Sequence, residues 1–189
     1  MSDGPYRSLP MSPRWKQAAK CAYHGTFSTG DIADALQQAV ERDCRAELSS
    51  AFVSKVTALI VGPDEPGLFR DLPISDLNAL HRECSSPMEA GMIRNAIDAL
   101  EDGFRGEEAV QKAAEGCVSD RILAGARQIE EHIYRETSDR QARSVRSRLE
   151  ASFGGINMSA AAQRLLRVPG AQPHAPAAAF AGLDDGVPL

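Results

Sequence analysis

Long apolar runs are missing from this 189-residue chain. None approaches the ~18 residues that a bilayer-spanning helix requires, so no membrane segment is expected. Aromatic residues are scarce, at 5%. The core must then come from Leu, Ile, Val and Ala, a mixture that leans toward helix because Leu loses little rotamer freedom there and Ala loses none. Strand signals are nearly absent: there is no alternating apolar run and no Asn-Gly hairpin turn. C-x-x-C pairs are absent too. Cys21, Cys44, Cys84 and Cys117 stand far apart in a chain large enough to need no disulfide framework, which favours reduced, mainly buried thiols. The opening "MSDGPYRSLP" has no apolar stretch of the signal-peptide kind. A cytoplasmic location is the expectation.

What is present is the composition of a soluble globular chain, 43% hydrophobic and 25% charged. One domain is the default at this length. The net charge of −5 argues against a protein whose main task is wrapping a polyanion, but leaves room for a local basic patch. Two segments carry a local basic excess. One is the first turns, with Arg7, Arg14, Lys16 and Lys20 against Asp3; the other is "TSDRQARSVRSRLE", Thr137 to Glu150. The Ala- and Arg-heavy style is associated with bacterial high-GC coding.

Helix punctuation is frequent. Ser12-Pro13 is an N-cap and N1 pair opening a helix that Gly25 stops. Ser28 and Asp31 form an acidic variant of the capping box. From there Ile32, Leu36, Val40, Cys44, Leu48, Phe52, Val56 and Ile60 recur every four residues, with no Gly or Pro before Gly62-Pro63. Four-residue steps drift by about 40° each, so the stripe winds around the helix; one long helix is favoured over a break near Asp43. "GPDEPGLFRDLP" reads as a loop. Ser75 then caps "DLNALHREC", and Ser86-Pro87 with Glu89 opens a helix whose face is Met88, Met92, Ile93, Ala96, Ile97, Leu100 and Phe104. Val110, Ala114, Val118, Ile122, Ile129 and Ile133 mark the next stripe, which Gly116 and Ser119-Asp120 are expected to divide. Ser138 and Gln141 recap a last helix ending near Phe153, before Gly154-Gly155. "MSAAAQRLLR" suits a short docked helix, and the Ala/Pro/Gly-rich remainder has the composition of disorder.

The architecture expected is all-α: an irregular bundle of about five to seven helices around one long central helix, Ile32–Ile60. Residues 1–12 form an irregular N-terminal arm, 13–154 the helical domain and 155–189 a largely disordered tail.

Chemistry-bearing patterns are weak. His81 and Cys84, at i and i+3, present only half of a zinc site. Cys21 and His24 share that spacing, but a nucleophilic thiol needs a depressed pKa and an orienting third group, neither of which is legible. "GFRGEEA" resembles an anion nest only loosely, and "GPDEPG" lacks the ligand alternation of a calcium loop. No cofactor or metal is expected.

The Arg-rich helix is the candidate interaction surface: Arg140, Arg143, Arg146 and Arg148. On a helical wheel the first three span about 120°, and Arg148 falls about 80° to the other side of Arg140. Ala142, Val145, Leu149 and Phe153 form the opposite apolar stripe. Such a face suits phosphate contacts or a protein interface. Its acidic neighbour "QIEEHIYRE" and the overall charge favour the solvated or protein-facing reading over nucleic acid. The function expected is that of a non-catalytic cytoplasmic adaptor or regulator acting on a protein partner or as a homodimer. A nucleic-acid-binding regulator using this helix is second, and an enzyme third.

Overall fold

A computed structural model describes residues 4–62 and 72–167. Most of the loop expected after Val61, and residues 168–189 of the tail expected to be disordered, lie outside the described residues.

The fold is all-α, with eight α-helices and no strand among the described residues. The helices are α1 (Pro13–His24), α2 (Thr29–Glu47), α3 (Ser50–Val61), α4 (Ile74–His81), α5 (Pro87–Glu101), α6 (Gly106–Glu136), α7 (Asp139–Ser152) and α8 (Met158–Leu166). Two 3-10 turns, Pro5–Arg7 and Phe153–Gly155, complete the set. Helix α8 falls inside the stretch expected to be largely disordered, and it packs on α6 and α2. The N-terminal arm is irregular but docked: Leu9 is buried, the Tyr6 hydroxyl meets His24 Nε2 at 3.0 Å, and His132 Nε2 lies 2.9 Å from the Pro5 carbonyl.

Many local starts and stops follow the expected punctuation. Ser28 accepts from the Asp31 N–H, and the Asp31 carboxylate accepts from the Ser28 N–H at 2.8 Å, a complete capping box. Ser86 accepts from the Glu89 N–H, with Pro87 in the first turn. Here the Glu89 carboxylate reaches back one residue further than the box requires, to Ser85 N and Oγ. Gly25 ends α1 at φ 66°, a left-handed backbone that favours glycine. Ser75 is not a cap, because α4 begins at Ile74 with Pro73 before it.

The central helix is not the expected one. The Ile32–Ile60 stripe is divided at Leu48, whose backbone is extended (φ −103°, ψ 109°), and Ser49 restarts the chain by accepting from the Phe52 N–H at 3.1 Å. The drift of the four-residue stripe supplies the reason. Ile32 to Cys44 face one core, formed with the N-terminal arm, α1, α7 and the second half of α6. Leu48 to Ile60 face a second core, formed with α4, α5 and the first half of α6. A break after Glu47 turns the stripe from the first core to the second, and Ser86 Oγ donates to the Glu47 carbonyl that the break leaves open.

Helix α6 is the long central element, unbroken for 31 residues. Its Ala109, Val110, Ala113 and Cys117 belong to one core, and Val118, Ile122, Ile129 and Ile133 to the other. The expected division at Gly116 does not occur. A Cβ at Gly116 would press on the Asn95 side chain, so this glycine marks a close approach of α5 and not a helix end. Gly125 plays the same part for Trp15, whose ring carbons occupy the space of a Cβ there. Trp15 is fully buried, and its Nε1–H donates to Asp43 Oδ2 at 2.7 Å. The same oxygen accepts from Arg121 Nη2 at 2.5 Å, while the Arg121 guanidinium lies 5.5 Å from the indole centroid.

Two substitutions test this junction by chemical denaturation. Trp15→Ala is expected to cost about 3–5 kcal/mol, as for other buried aromatics. Gly125→Ala is expected to be destabilising, because overpacking of about 1–3 kcal/mol exceeds the gain of about 1 kcal/mol in helix propensity. A more stable Gly125→Ala variant would mean that Trp15 does not rest there.

Candidate functional site

The four arginines of α7 are put to different uses. Arg148 turns inward, and its Nη1 donates to the Ala22 and Tyr23 carbonyls at 2.8 and 3.0 Å. These are carbonyls of the last turn of α1, without intrahelical partners of their own, and a cation at a helix C-terminus also complements the helix dipole. The guanidinium lies so close to Gly25 that a Cβ there would collide with it. Arg143 pairs with Asp139 one turn back. Arg146 pairs with Glu150 at 2.8 Å and faces Glu130 of α6 at 3.6 Å. Only Arg140 of the four makes no hydrogen bond or ion pair among the described residues. The apolar stripe behind them is buried at Ala142, Val145 and Leu149. Phe153 is only half-buried, and it belongs to the 3-10 turn that follows α7.

The positive charge of this face is thus largely met within the chain. Arg143 and Arg146 are exposed and their ion pairs screened, so the pairs add little to stability. They do reduce the field that a phosphate backbone would feel.

In each histidine–cysteine pair the cysteine's hydrogen bond goes to a group other than the histidine ring. Cys21 is buried and accepts from Gln17 Nε2 at 3.5 Å, whereas His24 meets Tyr6. Cys84 donates to the Leu80 carbonyl beside an exposed His81. Cys44 and Cys117 are buried where the two cores adjoin. Desolvation pushes the Cys44 thiol up to about 12 and Cys117 up to about 11, and it also raises Cys21 and Cys84. A thiol so shifted holds little thiolate at neutral pH, which is the opposite of what nucleophilic catalysis needs. Among the described residues no three His, Cys, Asp or Glu side chains gather in a way that could hold a metal ion. No helix among them is long and apolar enough to cross a membrane.

Besides Phe27 in the turn before α2, the exposed large apolar residues among those described lie on a different surface. Leu123 and Tyr134 of α6 are 43% and 58% exposed, high values for large apolar side chains. Eleven residues apart, they share one helical face to within about 20°, roughly 16 Å apart along the axis. Arg127 lies between them on that face, exposed and without a partner among the described residues. Sequence reasoning passed over this stripe because it followed the buried side of α6. The available signal was a Leu and a Tyr both off the apolar stripe at a common helical angle.

No family model matches this chain, and neither a curated protein nor a solved structure is significantly similar to it.

Two experiments follow from this geometry. Reversing Arg140 and Arg143 to Glu should leave unfolding within about 0.5 kcal/mol of the parent. Oligonucleotide binding at physiological salt, followed by fluorescence anisotropy, should be weak before and after; tight, salt-sensitive binding lost in the double variant would establish a nucleic-acid face. Arg148→Ala, by contrast, should cost about 1–3 kcal/mol, since it strands carbonyls that a charged donor now satisfies.

The thiols are tested by alkylation of the native protein with iodoacetamide at neutral pH. Cys44 and Cys117 should react far more slowly than free cysteine and gain reactivity only on unfolding. Rapid native modification of either would contradict their raised pKa.

Proposed function

We propose that this chain is a non-catalytic helical adaptor or regulator of the cytoplasm that works through protein–protein contact, and that its contact face is the outer stripe of α6. The exposed Leu123–Arg127–Tyr134 array carries this reading. Tyr and Arg are the side chains that dominate the energetics of many interfaces, with an apolar neighbour to exclude water. The array sits on the longest helix, which both cores hold in place, so its geometry is preorganised. A rigid face loses little side-chain and backbone freedom on binding. The partner is either another protein or a second copy of the chain.

The test compares the parent with a Leu123→Ser, Arg127→Glu, Tyr134→Ser variant. All three positions are exposed, so the variant should unfold within roughly 1 kcal/mol of the parent. Sedimentation of the purified protein reads self-association, and affinity capture followed by reconstitution with the purified captured protein reads a hetero-partner. The expected result is an association made by the parent and lost by the variant. A parent that stays monomeric and captures nothing the variant fails to capture would sink the proposal.

A further inference from the structure

The break between α2 and α3 faces the end of α8 across a cleft of about 770 Å3. Three arginines line it: Arg45 from the last turn of α2, and Arg164 and Arg167 from the end of α8. Leu48 and Leu165 supply apolar wall, and Ser49 and Ser50 supply hydroxyls.

Arg164 is held in position. Its Nη1 donates at 2.7 Å to Glu41 Oε1, which also accepts from Gln37 Nε2 at 2.9 Å, and the Glu41 side chain is only 12% exposed. Being anchored through one nitrogen leaves the other nitrogens of this planar fork free to donate. Arg45 and Arg167 make no hydrogen bond or ion pair among the described residues. Of the nearby carboxylates, Glu41 is engaged by Arg164 and Asp43 by Arg121 and Trp15, while Glu47 lies close enough to act on Cys44 electrostatically. The cleft thus concentrates positive charge in a chain whose net charge is −5. Gathering three guanidiniums here has an electrostatic cost, and neither Arg45 nor Arg167 offsets it by tying helices together.

We propose that this cleft binds a small organic phosphate, a phosphate monoester carried on an apolar body. Guanidinium forks match the geometry and charge of a phosphate dianion, and their hydrogen bonds to it are charge-assisted. Leu48 and Leu165 take the apolar body. The volume lies in the range of about 300–1,000 Å3 typical of small-ligand sites. The free N–H groups in the first turn of α3, which Ser49 opens, add donors to those of the arginines. None of these residues belongs to the α6 contact stripe, so the site is independent of the function proposed above.

The probes are phenyl phosphate and inorganic phosphate, titrated into the full chain by calorimetry at low ionic strength. Phenyl phosphate is expected to bind with a Kd below about 1 mM and roughly tenfold more tightly than inorganic phosphate, because its ring covers Leu48 and Leu165. An Arg45→Ala, Arg167→Ala double variant should keep the Tm of the ligand-free parent and lose at least about tenfold in affinity. Absence of binding at about 10 mM phenyl phosphate would overturn the proposal. So would unchanged affinity in the double variant. Equal affinity for the two probes would also overturn it, by reducing the cleft to a place where any small anion collects.

Discussion

Trp15 presses its ring against the backbone of Gly125 while its indole N–H reaches Asp43, and Asp43 in turn holds Arg121. Three helices are locked by this one arrangement: α1 through the ring, α2 through the carboxylate, and α6 through both its glycine and its arginine. The ring is the largest fully buried side chain in a chain with few aromatics, so its burial is a large single apolar contribution. The polar part has a different job. A buried indole N–H left unpaired would cost its full desolvation penalty, and Asp43 removes that cost while placing α2 in register with α6. The guanidinium over the indole completes the packing from the polar side.

The rest of the architecture is hung on α6. One half of it belongs to each core, so neither core is complete without it. The α2–α3 pair makes the same crossing from one core to the other, but by breaking at Leu48 instead of continuing straight. That break also creates the cleft lined by Arg45, Arg164 and Arg167. A feature required by packing therefore yields a cleft lined by three guanidiniums, whereas the arginine-dense α7 yields little free charge. Density of arginines along the sequence is a poor guide to field strength when Asp139, Glu130 and Glu150 stand within reach.

Surface chemistry divides along the same lines. Cys21, Cys44 and Cys117 are inside, with Cys84 partly so, and burial pushes the thiols toward the protonated form that suits packing. His24 and His132 serve as anchors for the N-terminal arm, through Tyr6 and through Pro5 and Ser8. Among the side chains left exposed and unengaged are Leu123, Arg127 and Tyr134 on α6, Arg140 on α7, and Arg45 and Arg167 at the cleft. The α6 group sets a guanidinium beside Leu123 and Tyr134, and the cleft sets guanidiniums beside Leu48 and Leu165.

The amino-acid sequence by itself determined the helical class, many of the helix starts and stops, and which face of most helices is buried. The reason is that these are local properties. Ser28 with Asp31, Ser86 with Pro87, and Gly25 each act within a turn of themselves, and stripes such as Val118, Ile122, Ile129 and Ile133 declare their inner face by period alone. Tertiary structure decided where two of those patterns are cut. Gly116 weakens a helix by about 1 kcal/mol in isolation, yet α6 runs through it because Asn95 packs where a side chain would stand. The Ile32–Ile60 stripe carries no glycine or proline, yet it breaks after Glu47 because its two ends are claimed by different cores. The cleft lay beyond local reasoning for the same cause, unlike the α6 stripe: Glu41 and Arg164 are 123 residues apart, and only the packing of α8 against α2 brings their charges together.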